Sequence, residues 1–148
     1  MSKAARLTVC DTNESAYHHW TKVNLRYGDT DRQGHINNAV FCTLYESGRV
    51  SFLFEGEGGI AGDKLSFVIV KLTLDFLEEM NFPGVAEVGS KILRVGTSSF
   101  TVGQAIFKDG LCCSTSESVI VMIDDSTKRS APLTDAVRAR LESVNRPG

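Results

Sequence analysis

Residues 29–38 bring together side chains that can carry out acid–base or nucleophilic chemistry. Two carboxylates, a glycine, a histidine and two asparagines occur within these ten positions, and an apolar helix is predicted to follow at once. A carboxylate can act as a general base or as a nucleophile. The start of a helix adds unpaired backbone N–H groups and the positive end of the helix dipole. A polar loop that runs directly into a buried helix therefore indicates a small-molecule site.

Of the two carboxylates, Asp31 is the better candidate for a catalytic role. It precedes Asn38 by seven residues, so a turn can bring its carboxylate and the Asn38 backbone N–H to the same carbonyl group of a substrate. The alternative is that Asp31 only caps a turn or the helix. Asp29 is predicted to fix the loop by accepting hydrogen bonds from backbone N–H groups.

The remaining polar residues of the loop have two interpretations each. His35 either orients Asp31 or hydrogen bonds to the substrate, or it only packs the loop. Asn37 and Asn38 suit the start of a helix in any case. The catalytic hypothesis for Asn38 is therefore restricted to its backbone N–H.

Composition and charge narrow the class of protein. The 148 residues include 42% hydrophobic and 23% charged residues, as in an ordinary globular protein, and we expect one domain over residues 1–148 with a loose arm at 1–15. The net charge of −2 and the pI of about 5.9 argue against nucleic acid and against an anionic membrane surface as partners. No apolar run approaches the roughly 20 residues of a membrane span. Residues 1–15 contain no apolar core of a signal peptide, so the cytoplasm is the predicted location.

The cysteines and histidines do not indicate a metal site. Cys112 and Cys113 are adjacent, and neither they nor Cys10 and Cys42 form a C-x-x-C pair, so reduced and partly buried thiols are predicted. His18 and His19 lack further ligands at suitable spacing and are interpreted as exposed polar residues. We therefore expect neither a metal nor a disulfide.

Periodicity predicts an alternation of strands and helices. Strands are predicted at residues 20–28, 66–77, 86–95, 100–107 and 111–123. Helices are predicted at residues 36–54 and 133–144, the first ended by Gly56, Gly58 and Gly59. The apolar residues of the first helix fill about half of its circumference: Ile36, Val40, Phe41, Leu44, Tyr45, Gly48, Phe52 and Phe54. Cys42, Glu46 and Arg49 occupy the other half.

This order of elements predicts an α+β architecture. Several successive strands after one long helix favour an antiparallel sheet of about five strands with the helices on one face. One face of the last strand is mostly small (Cys112, Ser114, Ser116 and Ser118), which allows another element to approach closely. A sheet that curls around one helix leaves apolar surface and strand edges exposed, so we expect a homodimer.

The motif Y-G-D-T-D-x-x-G-H-I-N-N, followed by Y-E-S-G-R, resembles the hotdog-fold thioesterases, specifically the 4-hydroxybenzoyl-CoA thioesterase-like branch. The resemblance covers nearly the whole chain. It implies a long central helix wrapped by a curved antiparallel sheet, with a short C-terminal helix. It also implies a dimer with active sites at the interface, often paired into tetramers. The implied reaction is hydrolysis of an acyl-CoA thioester without metal or bound cofactor.

The resemblance also implies roles for single residues. The catalytic aspartate of the family corresponds to Asp31, and the turn glycine to Gly34. The backbone N–H that polarises the thioester carbonyl corresponds to that of Asn38. Enzymes that act on 4-hydroxybenzoyl-CoA often have aromatic residues where His35, Asn37 and Asn38 stand here, so the substrate is predicted to be an aliphatic acyl-CoA.

Other residues complete the predicted site. Tyr27, Phe41 and Tyr45 are candidates for the acyl pocket, although both tyrosines lie on predicted apolar faces and core packing is the favoured sole role for them. Ser98 and Ser99 either contact pantetheine or phosphates across the dimer or form a plain polar turn.

Glu46 has two interpretations. A second branch of hotdog enzymes carries its catalytic carboxylate on the central helix after an H-G-G motif, which this chain lacks. Arg49 follows Glu46 at helix-pair spacing, so Glu46 is interpreted as structural or supporting.

Two further functions remain open at this point. One is a non-catalytic acyl-CoA-binding protein with the same pocket. The other is a thioesterase that acts on acyl carrier protein, which needs a basic patch near the mouth of the site.

Overall fold

The computed structural model describes residues 11–54 and 59–148. Its strands are β1 (His19–Asn24), β2 (Leu65–Phe76), β3 (Val85–Val95), β4 (Ser99–Lys108) and β5 (Leu111–Asp124), and its helices are α1 (Asn38–Leu53) and α2 (Asp135–Val144). Two short 3-10 turns, Glu14–Ala16 and Tyr27–Asp29, flank β1. Most of the predicted arm (residues 1–10), Cys10, Gly56 and Gly58 lie outside the described residues.

The strands form one antiparallel sheet in the order β1-β3-β4-β5-β2. The β4–β5 hairpin closes at Asp109 and Gly110, which both have positive φ, as a tight hairpin turn requires. Helix α1 packs on one face of the sheet, and the short α2 follows the last strand. This architecture confirms the predicted α+β class and the hotdog fold.

Two adjoining apolar clusters fill the space between α1 and the sheet. The cluster at the start of α1 contains Phe41, Leu44 and Tyr45 together with Ile36 and Met80. The cluster at its end joins α1 to α2 and to the strands: Phe52, Leu53, Ile92, Phe100, Val102, Ile120, Met122, Val137, Leu141 and Val144. The wide apolar arc predicted for α1 therefore packs against the sheet along the length of the helix.

Close approach between α1 and the sheet depends on small residues. A Cβ atom at Gly48 would lie 2.6 Å from Nε2 of Gln104, so α1 touches β4 there. Ser114, Ser116 and Ser118 are buried on the side of β5 that faces α1. The hydroxyl of Tyr45 donates a hydrogen bond to Oγ of Ser114 at 2.7 Å.

A β-bulge in β5 shows that Cys112, contrary to the sequence prediction, does not share the face of Ser114, Ser116 and Ser118. Phe107 pairs with Cys112 and Ile106 with Ser114, which leaves Cys113 as the extra residue. The alternation is reset at this bulge. Cys112 therefore packs on the opposite side of the sheet with Tyr17, and Cys113 is buried on the α1 side.

The ends of α1 also differ from the prediction. The helix begins at Asn38 instead of residue 36, because Ile36 pairs with Thr30 and Asn37 caps the helix. It ends at Leu53, and Phe54 is 55% exposed, so its predicted place on the buried arc was wrong.

Candidate active site

Residues 29–37 form a compact loop between β1 and α1. Thr30 and Ile36 make an antiparallel bridge, and the N–H of Asp31 donates to the carbonyl of His35 at 2.7 Å. Gly34 has φ +86°, a conformation that glycine adopts without steric cost. The tip of this loop is thereby closed on itself, with Asp31 at one side of the turn.

Asp29 is engaged entirely with the start of the loop. Its Oδ1 accepts hydrogen bonds from Nε and Nη2 of Arg26 at 3.1 and 2.7 Å, and its Oδ2 accepts from the Arg26 backbone N–H at 2.8 Å. These hydrogen bonds hold the pKa of the Asp29 carboxyl below its usual value. The residue is buried, so this carboxylate does not face a ligand.

Asp31 has one engaged and one open carboxylate oxygen. Its Oδ1 accepts the backbone N–H groups of Gln33 at 2.9 Å and His35 at 3.2 Å. Its Oδ2 makes no hydrogen bond to any residue that the structure describes, and the residue is half-buried. The carboxylate is thus oriented by the loop while one oxygen stays available to water or a ligand.

The start of α1 leaves a backbone donor open. Oδ1 of Asn37 accepts the N–H of Ala39 at 2.9 Å, and the N–H of Asn37 donates to the carbonyl of Asp29 at 2.9 Å. The N–H of Asn38, the first residue of the helix, has no acceptor in the described part of the chain. The donor that the sequence singled out is therefore free.

His35 ties the loop to the connection between β2 and β3. Its Nδ1 lies 2.9 Å from Oδ1 of Asn81, and its Nε2 lies 3.4 Å from a carboxylate oxygen of Glu79. His35 reaches Asp31 through its backbone N–H, and its ring faces the connection instead. The ring thus packs the loop against the connection, and a hydrogen bond from His35 to a substrate stays a prediction.

A cleft of about 550 Å³ opens in front of Asn38. One wall is the start of α1, and the other is the end of β2 with the connection that follows it; the lining residues are Asn38, Phe41, Phe76, Leu77, Glu78, Glu79, Met80 and Asn81. The rings of Phe41 and Phe76 meet edge to face, with centroids 5.3 Å apart. The walls are held together because the N–H of Ile36 donates to the carbonyl of Met80 at 2.7 Å.

The wall formed by residues 76–81 was missed in the sequence. It lies about forty positions beyond the loop in the chain, and no local pattern marks it as part of a site. The adjacent acidic residues Glu78 and Glu79 follow directly after an apolar strand, but this feature does not by itself indicate a site.

The two tyrosines lie outside the cleft. Tyr27 is 73% exposed and packs against the ring of Phe82 at 5.9 Å between centroids, so its predicted core packing was wrong. The reason is that β1 ends at Asn24 and the chain turns through a 3-10 helix at Tyr27. Tyr45 is fully buried in the core beneath the cleft.

Ser98 and Ser99 lie at the far end of the sheet from the cleft. Ser99 pairs with Val121, whereas Phe76 at the cleft pairs with Ser114. Within one copy of the chain these serines do not reach the Asp31 loop.

Glu46 lies on the exposed side of α1 and lines a second groove, with a volume of about 180 Å³, between α1 and β2. It is separate from the cleft, since the two share no lining residue.

The described residues offer neither a metal cluster nor a membrane-spanning helix. They contain no group of three or more histidine, cysteine or acidic side chains that could hold a metal ion. None of the described helices is long and apolar enough to cross a membrane.

His19, predicted to be exposed, is half-buried, and its Nε2 lies 2.7 Å from Oγ of Ser51 on α1.

Comparison with known proteins places this geometry in a family. The family model of the thioesterase-like superfamily matches residues 25–141, which include the loop, the start of α1 and both walls of the cleft.

Two solved structures agree with the family match, and one further relative has no described activity. The structure of a predicted thioesterase from Bacillus stearothermophilus superposes with a TM-score of 0.77 at 27% identity, covering 87% of this chain and 97% of that one. A thioesterase from Thermus thermophilus, complexed with coenzyme A and zinc, gives a TM-score of 0.76 at 26% identity, covering 90% and 98% of the two chains. An uncharacterised Bacillus subtilis protein, YsmA, is 23% identical over 131 residues, or 86% of this chain and 88% of that protein.

Proposed function

The chain belongs to the thioesterase-like superfamily, and from this premise we propose that it hydrolyses acyl-CoA thioesters to a free acid and coenzyme A. One observation carries the proposal: Asn38, whose backbone N–H has no acceptor among the described residues, lines a cleft large enough for an acyl thioester. The open oxygen of Asp31 lies on the loop that leads into the same helix. The relative from Thermus thermophilus, complexed with coenzyme A, supports the CoA part of the proposal.

The N–H of Asn38 serves as the oxyanion donor in this proposal. As the carbonyl carbon is attacked, negative charge develops on its oxygen, and a fixed donor at a helix start stabilises that charge without reorganisation. No described protein group competes for this N–H, so the donor is available from the outset.

Asp31 supplies the attacking group in one of two ways. As a general base it takes a proton from water, and the hydroxide adds to the carbonyl carbon. As a nucleophile it forms an acyl anhydride, which water then opens. In both routes the C–S bond breaks, the sulfur leaves as thiolate and takes up one proton, and one water is consumed.

The other loop residues position these two groups. Gly34 gives the turn its shape, Asn37 caps the helix, and His35 fastens the loop to the second wall. We propose that these residues act through Asp31 and Asn38, since each contacts the loop or the helix start.

The cleft walls suit an apolar acyl group. Phe41 and Phe76 form an apolar surface next to Asn38, and Leu77 and Met80 continue it. No lysine or arginine lines this cleft in the described chain. An acyl carrier protein would need a basic surface there, whereas the rim carries Glu78 and Glu79.

A homodimer is part of the proposal. Strand β2 is an edge of the sheet, and it exposes apolar side chains on both faces: Val68, Ile69, Val70, Leu72 and Phe76. A long apolar edge strand invites pairing with a second strand. Pairing of two β2 edges satisfies the open edge of the strand, and it brings the far end of one sheet, with Ser98 and Ser99, towards the partner's cleft. Dimers are then proposed to pair into tetramers.

The test is thiol release from short, medium, long and aromatic acyl-CoAs by wild type and by Asp31→Asn. The substitution keeps the oxygen that accepts the Gln33 and His35 N–H groups and removes only the charge, so the loop is expected to stay folded. Loss of at least about 100-fold in kcat is expected for a lost base. Asp63→Asn, an exposed residue before β2, serves as the matched control and should keep full activity.

Two results contradict the proposal. If Asp31→Asn matches wild type, the carboxylate has no catalytic role. If no thioester is turned over but acyl-CoA binds, the chain is a non-catalytic acyl-CoA-binding protein.

A further inference from the structure

The groove between α1 and β2 contains two opposite charges on an apolar surface. Its lining residues are Glu46, Arg49, Val50, Leu53, Phe54, Phe67, Ile69 and Ile120. Six of these eight are apolar, so the two charged side chains stand out. They are spaced three residues apart on α1 and therefore lie on the same side of the helix.

Arg49 has few partners for a half-buried cation. A guanidinium carries five N–H donors. In the described chain Arg49 makes one hydrogen bond, from Nη1 to Oε1 of Gln104 at 3.3 Å. Burial lowers the pKa of this guanidinium from its ordinary value, and the charge of Glu46 opposes that effect.

Glu46 does not satisfy Arg49 within the same copy. No ion pair within 4.0 Å joins the two side chains, although both are described and lie in neighbouring turns of α1. Glu46 is exposed in the single chain. Among the described residues, therefore, a partly desolvated cation with one long hydrogen bond faces the groove and has no carboxylate within ion-pair distance.

The two charges lie where a two-fold axis through the middle of β2 would bring the α1 helices of two copies together. Glu46 and Arg49 lie near the middle of α1 (Asn38–Leu53), and they share the groove with Ile69, near the middle of β2 (Leu65–Phe76). When two copies of an edge strand pair antiparallel about their centres, the two-fold axis passes near the strand midpoint. The two α1 helices then face each other in opposite directions across that axis. In such an interface a contact from one residue to another occurs twice.

We propose that Glu46 of each copy forms an ion pair with Arg49 of the other copy, so that two reciprocal bridges join the α1 helices across the dimer axis. The partner is a second copy of this chain, because the groove presents both charges of a self-complementary pair beside an apolar sheet edge. The inference rests on the dimer in the proposed function and adds which residues fix its register.

Charge reversal tests the pairing in trans. Glu46→Arg alone, or Arg49→Glu alone, places like charges at both contacts of a homodimer. Each single variant is expected to weaken the dimer Kd at least about 100-fold, since like charges at an interface cost several kcal/mol. Mixing the two variants restores opposite charges at both contacts, so the mixture should form heterodimers with near wild-type affinity.

The readout is sedimentation velocity over a dilution series, with differently tagged chains to identify heterodimers. Glu142→Arg is the control, because Glu142 is exposed on α2 and pairs with Arg146 inside the same copy at 3.5 Å. This control should dimerise as wild type does. Circular dichroism melts establish that each variant is folded.

Substitutions that neutralise the charges instead of reversing them test the pairing if Arg49→Glu does not fold. Glu46→Gln and Arg49→Gln each break both contacts, so the double variant should dimerise no more weakly than either single variant. Additive losses would overturn the pairing.

Two outcomes of the mixing experiment also overturn it. One is single variants that dimerise like wild type, which would leave the groove to a ligand. The other is a mixture of folded variants that stays monomeric. Neither outcome bears on the proposed hydrolysis, because that proposal is tested separately by thiol release from acyl-CoA by wild type and Asp31→Asn. A monomeric wild type removes the dimer from the proposed function as well.

Discussion

Removal of one backbone N–H is the sharpest test of the proposed oxyanion donor. Proline lacks this N–H and is well tolerated at the first position of a helix, which is the position of Asn38. The preceding residue, Asn37, has φ −58° and ψ 138°, the extended conformation that a residue before proline prefers. Asn38→Pro is therefore expected to delete the donor without disturbing α1.

The expected loss follows from the geometry. The N–H of Asn38 has no acceptor in the described chain, so its removal breaks no hydrogen bond between described residues. The cap from Asn37 to the N–H of Ala39 is kept. Losing one oxyanion donor costs about 100- to 1,000-fold in kcat, or roughly 3–4 kcal/mol of transition-state stabilisation. KM should change little, because the charge exists only in the transition state.

Asn38→Ala is the matched control, since it removes the same side chain and keeps the N–H. Both variants are assayed for thiol release from the best acyl-CoA of the panel, and their melting temperatures are compared with wild type. The reasoning is refuted if Asn38→Pro melts like Asn38→Ala and also hydrolyses at the same rate.

Two further predictions concern stability. Gly48→Ala places a Cβ 2.6 Å from Nε2 of buried Gln104, so the variant is expected to be less stable than wild type. Overpacking costs about 1–3 kcal/mol, and the hydrogen bonds of Gln104 are lost in addition. Together these costs should outweigh the gain of about 1 kcal/mol in helix propensity. Urea unfolding measures this loss, and equal stability of Gly48→Ala and the neighbouring Ser47→Ala would contradict it. Asp29→Asn should be less stable than wild type at neutral pH, because Arg26 holds the pKa of the Asp29 carboxyl below its usual value. That stabilisation is present above the unfolded pKa of about 4 and is lost as the pH falls through the lowered folded pKa, so the gap in urea midpoint should narrow in acid; a gap that stays constant with pH would refute the argument.

Local patterns were informative for the fold. Apolar alternation located all five strands, and the helical arc located α1 and α2 to within two residues at most ends. The errors share a physical cause. Tyr27 and Phe54 lie where an element stops, and Cys112 lies beside a bulge. A pattern of alternating residues does not reveal where the hydrogen-bond ladder ends or slips, because that depends on the paired strand.

For the candidate site, too, the sequence predicted the local features and missed the contacts between distant segments. The sequence located the loop, its turn at Gly34, the cap at Asn37 and the donor at Asn38, since each depends on residues within a few positions. It did not reveal that the ring of His35 faces Asn81, nor that residues 76–81 form the second wall. Those contacts join segments about forty residues apart.

The sequence by itself thus determined the elements, the α+β class and the local geometry of the loop and helix start. Turn conformation, capping and periodic burial are set by short-range sterics and hydrogen bonds, which the residue types specify directly. Only the tertiary structure decided which oxygen of Asp31 stays open, what forms the cleft and why Arg49 has no carboxylate partner among the described residues. Each of these depends on which distant segments pack together, and that choice is made by the chain as a whole when its apolar surfaces are buried.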